Sequence, residues 1–268
     1  MKRVLLSSMI LLAIIMNSKA QNQVLELKKC NDVAGSRIVS DNLGNIYVLA
    51  KSSLMKYDAE GNFQCSYTEL KDGLITNIDV SDPLKIIIFN ADFGKIKFLD
   101  NKLSLKKDPV SLSDLGYNNA SLVATSYDNG FWLFDPLSNQ LVRFDVNLQM
   151  TQQSGNISDL IGHEFKPDFM VEYNNMVYLN DPLYGIFVFD RYGTYMKTIP
   201  VKNIPAFQIF SDRIFYLDKN ILKSLDLKTY EEKTVQLPPF GEDIISATTG
   251  THQISVLSKT KFCIYKYL

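Results

Sequence analysis

The sequence predicts an all-β fold: a six-bladed β-propeller with four antiparallel strands in each blade and its last blade closed by the N-terminal strand. Short apolar alternations separated by turn residues follow one another along the chain, as in antiparallel meanders. One position inside the second strand of each unit recurs at intervals of 40, 45, 46, 37 and 40 residues, the length of a propeller blade. These positions are Tyr47, Ile87, Trp132, Tyr178, Phe215 and Ser255.

A second repeated feature supports the same division. An apolar residue followed by aspartate ends the third strand of the first five units, at intervals of 42, 45, 45 and 36 residues. The aspartates are Asp58, Asp100, Asp145, Asp190 and Asp226. The stretch from Asp41 to Phe63 shows the unit most clearly, because two short strands are each closed there by a small polar turn.

The two ends of the chain are expected to share the sixth blade. Residues 243–268 contain only three strands, whereas one strand, QVLELKKC, is left over near the N-terminus. Antiparallel pairing of the two closes the ring and leaves no long unpaired edge. With Val24 opposite Leu268, Cys30 lies beside Cys263, a register that permits a disulfide without requiring one. Cys65, in the outer strand of the first blade, is expected to stay unpaired.

Residues 1–20 have the pattern of an export signal, with two basic residues ahead of an apolar run from Val4 to Met16 and a small residue at Ala20. The run is too short and too interrupted for a membrane anchor. Residues 21–268 then form one domain, since no linker or charge run divides them. The sequence therefore predicts an exported protein, periplasmic or secreted, that is not inserted in a membrane after cleavage.

The charge and the composition of the chain limit the classes of function that it can have. The chain has 28 basic and 29 acidic residues, so no net field favours nucleic acid or an anionic membrane surface. Apolar residues make up 46% of the chain and aromatic residues 12%, which is enough for a packed core. Nucleotide-binding and nucleophile-elbow motifs do not occur in the sequence.

Two segments, GNIYVLAKSSLMKYDAEGNF and GFWLFDPLSNQLVRFDVNLQ, resemble the blade of NHL-type six-bladed β-propellers. A blade of that family has a Gly-Asn-hydrophobic-Tyr-Val strand, an aspartate at the turn, and a second strand that ends in an aromatic-Asp pair. The chain departs from the pattern where the family commonly has a basic residue after the turn, since Gln140 stands there in one blade. The resemblance implies the propeller fold.

Two sets of polar residues are candidates for chemistry. The second strands end in an arc of carboxylates, Asp135, Asp181 and Asp218, which could hold calcium with oxygen ligands or could initiate the turns that follow. No other cofactor is expected. The innermost strands carry Asp79, Glu172 and Gln208. Lactonases among six-bladed propellers place a metal in the central channel. These residues are therefore compatible with an alternative function, a metal-assisted hydrolase with its site at the channel mouth.

The third set lies in long connections, which commonly carry binding sites on rigid scaffolds. Two connections, residues 108–120 and 154–167, follow the second and third blades, and both contain Ser-Asp-Leu, a triplet able to cap a helical turn. The residues expected to contact a partner are Tyr117, His163 and Phe165 in these connections, together with Phe93 and Tyr184 on turns of the same face.

The favoured function is non-enzymatic: an exported propeller that acts as a binding or scaffold module for a protein, a peptide or a glycan. The alternatives are the lactonase-like hydrolase and a structural subunit of an envelope assembly. The sequence names no particular partner.

Overall fold

The computed structural model describes residues 25–268. It is a β-propeller of six four-stranded antiparallel sheets, as the sequence predicts. The predicted signal peptide at residues 1–20 lies outside the described residues.

The strands follow the blades in chain order, apart from the first, which belongs to the last blade. That strand is β1, Leu25–Asn31. Blade 1 contains β2 Arg37–Ser40, β3 Ile46–Ala50, β4 Ser53–Tyr57 and β5 Phe63–Thr68. Blade 2 contains β6 Asn77–Asp79, β7 Ile86–Asn90, β8 Lys95–Leu99 and β9 Val110–Ser111. Blade 3 contains β10 Leu122–Thr125, β11 Phe131–Asp135, β12 Gln140–Phe144 and β13 Met150–Gln153.

The second half repeats the arrangement. Blade 4 contains β14 Phe169–Tyr173, β15 Met176–Asp181, β16 Gly185–Asp190 and β17 Tyr195–Ile199. Blade 5 contains β18 Phe207–Phe210, β19 Arg213–Asp218, β20 Ile221–Asp226 and β21 Glu232–Val235. Blade 6 contains β22 Ser246–Thr249, β23 Gln253–Leu257 and β24 Phe262–Tyr267, with β1 as its fourth strand.

Helical segments within residues 25–268 are short. They are two 3-10 turns, Ala91–Phe93 and Leu112–Leu115, and one α-helix, α1, Ile157–Ile161. The last two lie in the long connections and overlap the Ser-Asp-Leu triplets, so the predicted helical turns are present. The cap of α1 is Asn156, whose side chain accepts a hydrogen bond from the Asp159 N–H, and not the serine of the triplet.

The repeated aspartates have a local structural role. Asp58 Oδ1 accepts hydrogen bonds from the backbone N–H groups two and four residues later, of Glu60 and Asn62, so the side chain closes the turn between the third and fourth strands. Gly61, between them, has φ of 77°, the left-handed conformation that such a turn requires. Asp100, Asp145 and Asp190 make the same two bonds, whereas Asp226 accepts from the N–H groups two and three residues later, of Lys228 and Thr229.

The closure of the ring follows the predicted register and then departs from it by one residue. Leu25 pairs with Tyr267 as expected, but a β-bulge between Leu27 and Lys29 shifts the remaining pairs. Cys30 therefore faces Cys263 directly, and the two form a disulfide with Cα atoms 4.1 Å apart. Cys65 is a free thiol.

The core lies between neighbouring blades, where apolar side chains of adjacent sheets pack together. Tyr47, Trp132 and Tyr178 are buried there, as their positions predict. Phe215 differs from the expectation because it is only half-buried and lines a cavity between blades 5 and 6. The inner strand facing it, β22, has the sequence Ser-Ala-Thr-Thr and leaves this interface underfilled.

Candidate functional site

The two faces of the propeller differ in what they carry. In an antiparallel meander, the turn between the second and third strands lies on the same side as the connection to the next blade. We call this side the connection face. Backbone contacts confirm the juxtaposition: the Ile157 N–H donates to the Asn139 carbonyl, and the Asn203 N–H donates to the Pro182 carbonyl. The opposite side, with the turns between first and second strands and between third and fourth strands, is the hairpin face.

Asn139 fixes the long connection that contains α1. This residue has φ of 54° in the turn after β11, and its side chain accepts from the Ser158 N–H at 3.1 Å while donating to the Phe165 carbonyl at 3.0 Å. Asp181 of the next blade accepts from the Lys166 N–H at 2.9 Å. Both ends of this connection are thus tied to the turns beside it, which makes it an ordered part of the connection face.

The structure brings two of the predicted contact residues together on this face. The rings of His163 and Tyr184 are stacked with centroids 3.5 Å apart, and the tyrosine side chain is 37% exposed. Phe93 also lies on the connection face, in the 3-10 turn of blade 2, and is 54% exposed. It borders Gly73, where an added Cβ would lie 3.0 Å from the Phe93 ring. Phe93 and Tyr184 are thus exposed on this face, and their contact with a partner stays a prediction.

The other two predicted contact residues have different surroundings. Phe165 is 1% exposed and packs between Phe134 and Phe187, so it fixes the connection to the core and does not present its ring to solvent. Tyr117 lies at the outer part of blade 3, with its ring edge-on to Phe144 and its hydroxyl 3.5 Å from Met150 Sδ. Phe144 and Met150 flank the turn between the third and fourth strands of blade 3, on the hairpin face. Tyr117 therefore lies apart from the aromatic residues of the connection face.

Aliphatic residues at the tips of this face were missed by the sequence reasoning. Leu137 and Leu183 occupy the same position in the turns of blades 3 and 4, and they are 80% and 68% exposed. Leu70 is 87% exposed in the connection before blade 2, and Leu160 is 60% exposed on α1. The available signal was the tripeptide Asp-Pro-Leu, which both turns contain and of which the sequence analysis used only the aspartate. Together with Phe93, these leucines form what we call the apolar tips of the connection face.

The three carboxylates proposed for calcium have local partners. Asp135 accepts from the backbone N–H and hydroxyl of Ser138, and Asp181 accepts from the Leu183 N–H as well as from Lys166. Asp218 forms an ion pair with Lys223 at 2.9 Å, which lowers the pKa of the carboxyl. Across residues 25–268, no group of three or more His, Cys, Asp or Glu side chains is arranged to hold a metal ion. Calcium binding at these aspartates stays a prediction.

The polar residues of the innermost strands connect neighbouring blades. Asp79 Oδ2 accepts from the Thr125 N–H of blade 3 at 2.8 Å. Gln208 Oε1 accepts from the Thr249 N–H of blade 6 at 2.7 Å. The side chains that we considered for a hydrolase therefore use their acceptor atoms within the ring.

Glu172 makes the most extensive of these connections. Its Oε2 accepts from the Trp132 indole N–H at 2.6 Å and from the Ser126 hydroxyl at 3.0 Å, both in blade 3. Burial raises the pKa of Glu172, while these hydrogen bonds oppose the shift. A carboxyl with a raised pKa is a feature of general acids, but Oε2 of this one is bonded to the neighbouring blade.

The central channel contains a cavity of about 480 Å³. Its lining comes from the inner strands of blades 1, 2, 4, 5 and 6 and from second-strand and third-strand residues of blade 5. The volume lies in the range of small-molecule sites.

Within residues 25–268, no helix has the length and apolar character needed to cross a bilayer.

Comparison with known proteins shows the fold class of this chain but assigns it to no family. No protein-family model matches the chain, and no curated protein matches it. Solved structures match over nearly the whole chain. A streptogramin B lyase has a TM-score of 0.62 and 13% identity, covering 91% of this chain and 98% of its own. The Pan2 WD40 domain of Neurospora crassa has a TM-score of 0.60 and 8% identity, with 92% and 96% covered.

A chain of the mitotic checkpoint complex has a TM-score of 0.66 and 9% identity, covering 92% of this chain and 93% of its own. At such identities the likeness shows the fold alone. The protein is a divergent β-propeller, and its structural neighbours include both a lyase and WD40-type propellers.

Proposed function

We propose that this propeller is an exported, non-enzymatic binding module that docks a protein partner on its connection face. The observation that carries the proposal is the set of apolar tips. Phe93, Leu137 and Leu183 project from successive blades at 54%, 80% and 68% exposure. Exposed apolar side chains clustered on one face of a rigid scaffold mark protein–protein contact surfaces.

A protein or peptide is favoured over a glycan because aliphatic side chains dominate the tips. Leu70 and Leu160 extend the apolar set on either side. Charged residues of both signs are exposed in the same turns and connections, among them Asp92, Asp159 and Lys166. An apolar centre with a charged surround is the usual anatomy of a protein interface. The stacked pair of His163 and Tyr184 adds an aromatic contact at the same face.

Export is supported by two features. The N-terminal pattern of residues 1–20 is that of a signal peptide. The disulfide between Cys30 and Cys263 is of a kind that persists in oxidising compartments such as the periplasm or the exterior of the cell. Periplasmic and secreted locations both satisfy these features.

The hydrolase alternative is less favoured because Asp79, Glu172 and Gln208 bond to neighbouring blades. The structural neighbours allow either class of function, since one is named a lyase and another belongs to the mitotic checkpoint complex. The proposal therefore rests on the surface of this chain.

The test compares charge introduced on the two faces. Leu137→Asp with Leu183→Asp places two carboxylates on the apolar tips. Leu43→Asp with Val146→Asp places two on the hairpin face, at side chains that are 69% and 55% exposed. Cross-linked capture from extracts of the source cell is quantified for the wild type and for both double variants, with melting temperatures as a check on folding.

We expect the wild type and the hairpin-face variant to capture the same protein, and the connection-face variant to lose at least about tenfold in capture, because several buried apolar contacts are lost together. Equal capture by both variants would show that the connection face is not the docking surface. If the chain captures only further copies of itself, the occupant of the docking surface is a second copy of this chain and not another protein.

A further inference from the structure

The central cavity contains a cationic group that the protein leaves without a hydrogen-bond partner. Arg37 begins β2 in blade 1, and its guanidinium lies 4.6 Å from the centroid of the Phe169 ring in blade 4. In a ring of six blades, blade 4 stands opposite blade 1, so the side chain extends across the channel. Within residues 25–268, this guanidinium forms no hydrogen bond and no ion pair. Arg37 is half-buried, and none of its nitrogens is among the fully enclosed atoms that lack a partner, so its five N–H donors face the open space of the cavity.

Two carboxylates face Arg37 without pairing with it. Asp79 and Asp168 act on the guanidinium through their charge, but burial is the larger influence and lowers the pKa of Arg37 to about 10. Asp79 is engaged by the backbone N–H groups of Ser81 and Thr125, and Asp168 accepts from the Asn180 side chain at 2.7 Å. Arg37 therefore stays protonated at neutral pH with its donors free.

Two other polar side chains of the cavity, Gln208 and Asp41, are already hydrogen-bonded. Gln208 uses both atoms of its amide, accepting from Thr248 and Thr249 and donating to the Thr249 carbonyl. Asp41 accepts from the Leu43 and Asn45 N–H groups and from the Tyr47 hydroxyl. Of the charged residues that line the cavity, Arg37 alone offers unused hydrogen-bonding capacity within the described part of the chain, and that capacity is for an anion.

The remainder of the cavity suits an apolar group. It extends between blades 5 and 6, where Phe215, Leu217 and Leu222 face the small residue Ala247. Phe169 and Phe207 line the channel near Arg37, with ring centroids 4.9 Å apart. One continuous cavity therefore joins an anion-binding group to an aromatic and aliphatic cleft, which is the usual composition of a small-molecule site.

We propose that the central channel binds a small organic monocarboxylate, with its carboxylate on the Arg37 guanidinium and its apolar body in the cleft between blades 5 and 6. This activity is separate from partner docking, because it uses the inner strands and not the apolar tips. Arg37 can offer two parallel N–H groups to one carboxylate, and binding there replaces solvent around a guanidinium that is otherwise unpartnered.

The test uses 4-phenylbutyrate, its neutral amide 4-phenylbutyramide, and inorganic phosphate as probes, with affinities measured by titration calorimetry on the mature chain. Arg37→Met retains the length and the apolar contact with Phe169 but removes the donors. Ala247→Leu fills the cleft. Arg191→Met is the matched control, because its guanidinium also lies over an aromatic ring, Tyr127, at 4.4 Å but does not line the cavity.

We expect saturable binding of 4-phenylbutyrate to the wild type and to Arg191→Met. Binding should weaken at least about tenfold for Arg37→Met, for Ala247→Leu, and for the amide and phosphate on the wild type, as expected for loss of a charge-assisted pair or of the apolar contact. No saturable binding of 4-phenylbutyrate, or affinity within twofold for Arg37→Met, would overturn the proposal. If Arg37→Met does not fold, the wild type decides, because equal affinity for the acid and the amide would also overturn it.

Discussion

Trp132 donates its indole N–H to the Glu172 carboxylate across the interface between blades 3 and 4, at 2.6 Å. The indole ring is fully buried, so this bond couples the packing of one blade to a charge on the inner strand of the next. Arg143 joins the same group by donating its Nε–H to the Ser126 hydroxyl, which itself donates to Glu172. A partly buried bond with a charged acceptor contributes more than a neutral surface bond.

Replacing Trp132 by phenylalanine should lower the free energy of unfolding by about 2 kcal/mol, because the change leaves a partly buried carboxylate short of one donor and opens a small cavity. Urea denaturation followed by circular dichroism measures the loss. The double variant with Glu172→Gln should lose less than the sum of the single variants. Strict additivity would show that the bond contributes no coupling energy.

Trp132 is the one tryptophan of the chain, so fluorescence reports on this site directly. A buried indole should give a blue-shifted emission maximum in the folded state, which moves to longer wavelength on unfolding. A native maximum like that of free tryptophan would contradict the burial of the ring and the register of β11.

Glu172 should make stability depend on pH in a defined direction. Burial raises the pKa of Glu172 in the folded state above its unfolded value, so the favourable contribution of the protonated form is present at low pH and is lost as the pH rises through the folded pKa. Glu172→Gln, which is neutral at every pH, should therefore gain stability relative to the wild type between pH 4 and pH 7. Urea midpoints at the two pH values measure this, and a stability difference independent of pH would contradict it.

Much of the fold was predictable because it is encoded locally and repeatedly. Asp58 and Asp190 close equivalent turns with the same two backbone bonds, so a sequence repeat of apolar residue and aspartate translates into a structural repeat. The bulge at Lys28 was not predictable, because alternation of side chains fixes the face of a strand but not an inserted residue. That single residue determines that Cys30 faces Cys263.

The candidate sites were less predictable because they depend on contacts between distant blades. Phe165 and His163 are neighbours in one loop, yet one ring enters the core and the other stacks on Tyr184. Nothing in the local sequence distinguishes the two outcomes. Arg37 was overlooked for a similar reason, since its role depends on Phe169 in the opposite blade.

Lys97 forms a buried ion pair with Glu69, and a second one with Asp72 at 2.6 Å, linking blade 2 to the connection that precedes it. The Lys97 side chain is 4% exposed. Lys97→Met should lower the free energy of unfolding by about 3 kcal/mol, because it leaves a buried carboxylate without its counter-charge. Thermal and urea denaturation provide the measurement.

Lys95 is the matched control on the same strand, since it is half-buried and has no ion pair among the described residues. Lys95→Met should change stability by no more than about 0.5 kcal/mol. Replacing Lys97 and Glu69 together by methionine should recover part of the loss. Similar losses for the two single lysine variants would argue against a special role for the buried pair.

The disulfide between Cys30 and Cys263 joins residues 233 positions apart and fastens β1 to the last blade. Replacing both by serine should lower the free energy of unfolding by about 3–5 kcal/mol, because the cross-link restricts the unfolded chain over a long loop. Cys65→Ser, which changes a free thiol in the first blade, is the control and should have a much smaller effect. Thiol titration of the unreduced wild-type protein, after denaturation, should find one free thiol, whereas three would refute the bond.

Hydrogen exchange gives a second measurement of the same disulfide. In the double serine variant, exchange should become faster in β1 than in β5, since only β1 depends on the disulfide to stay paired. Unchanged protection of β1 would show that its backbone pairing with β24 is sufficient by itself.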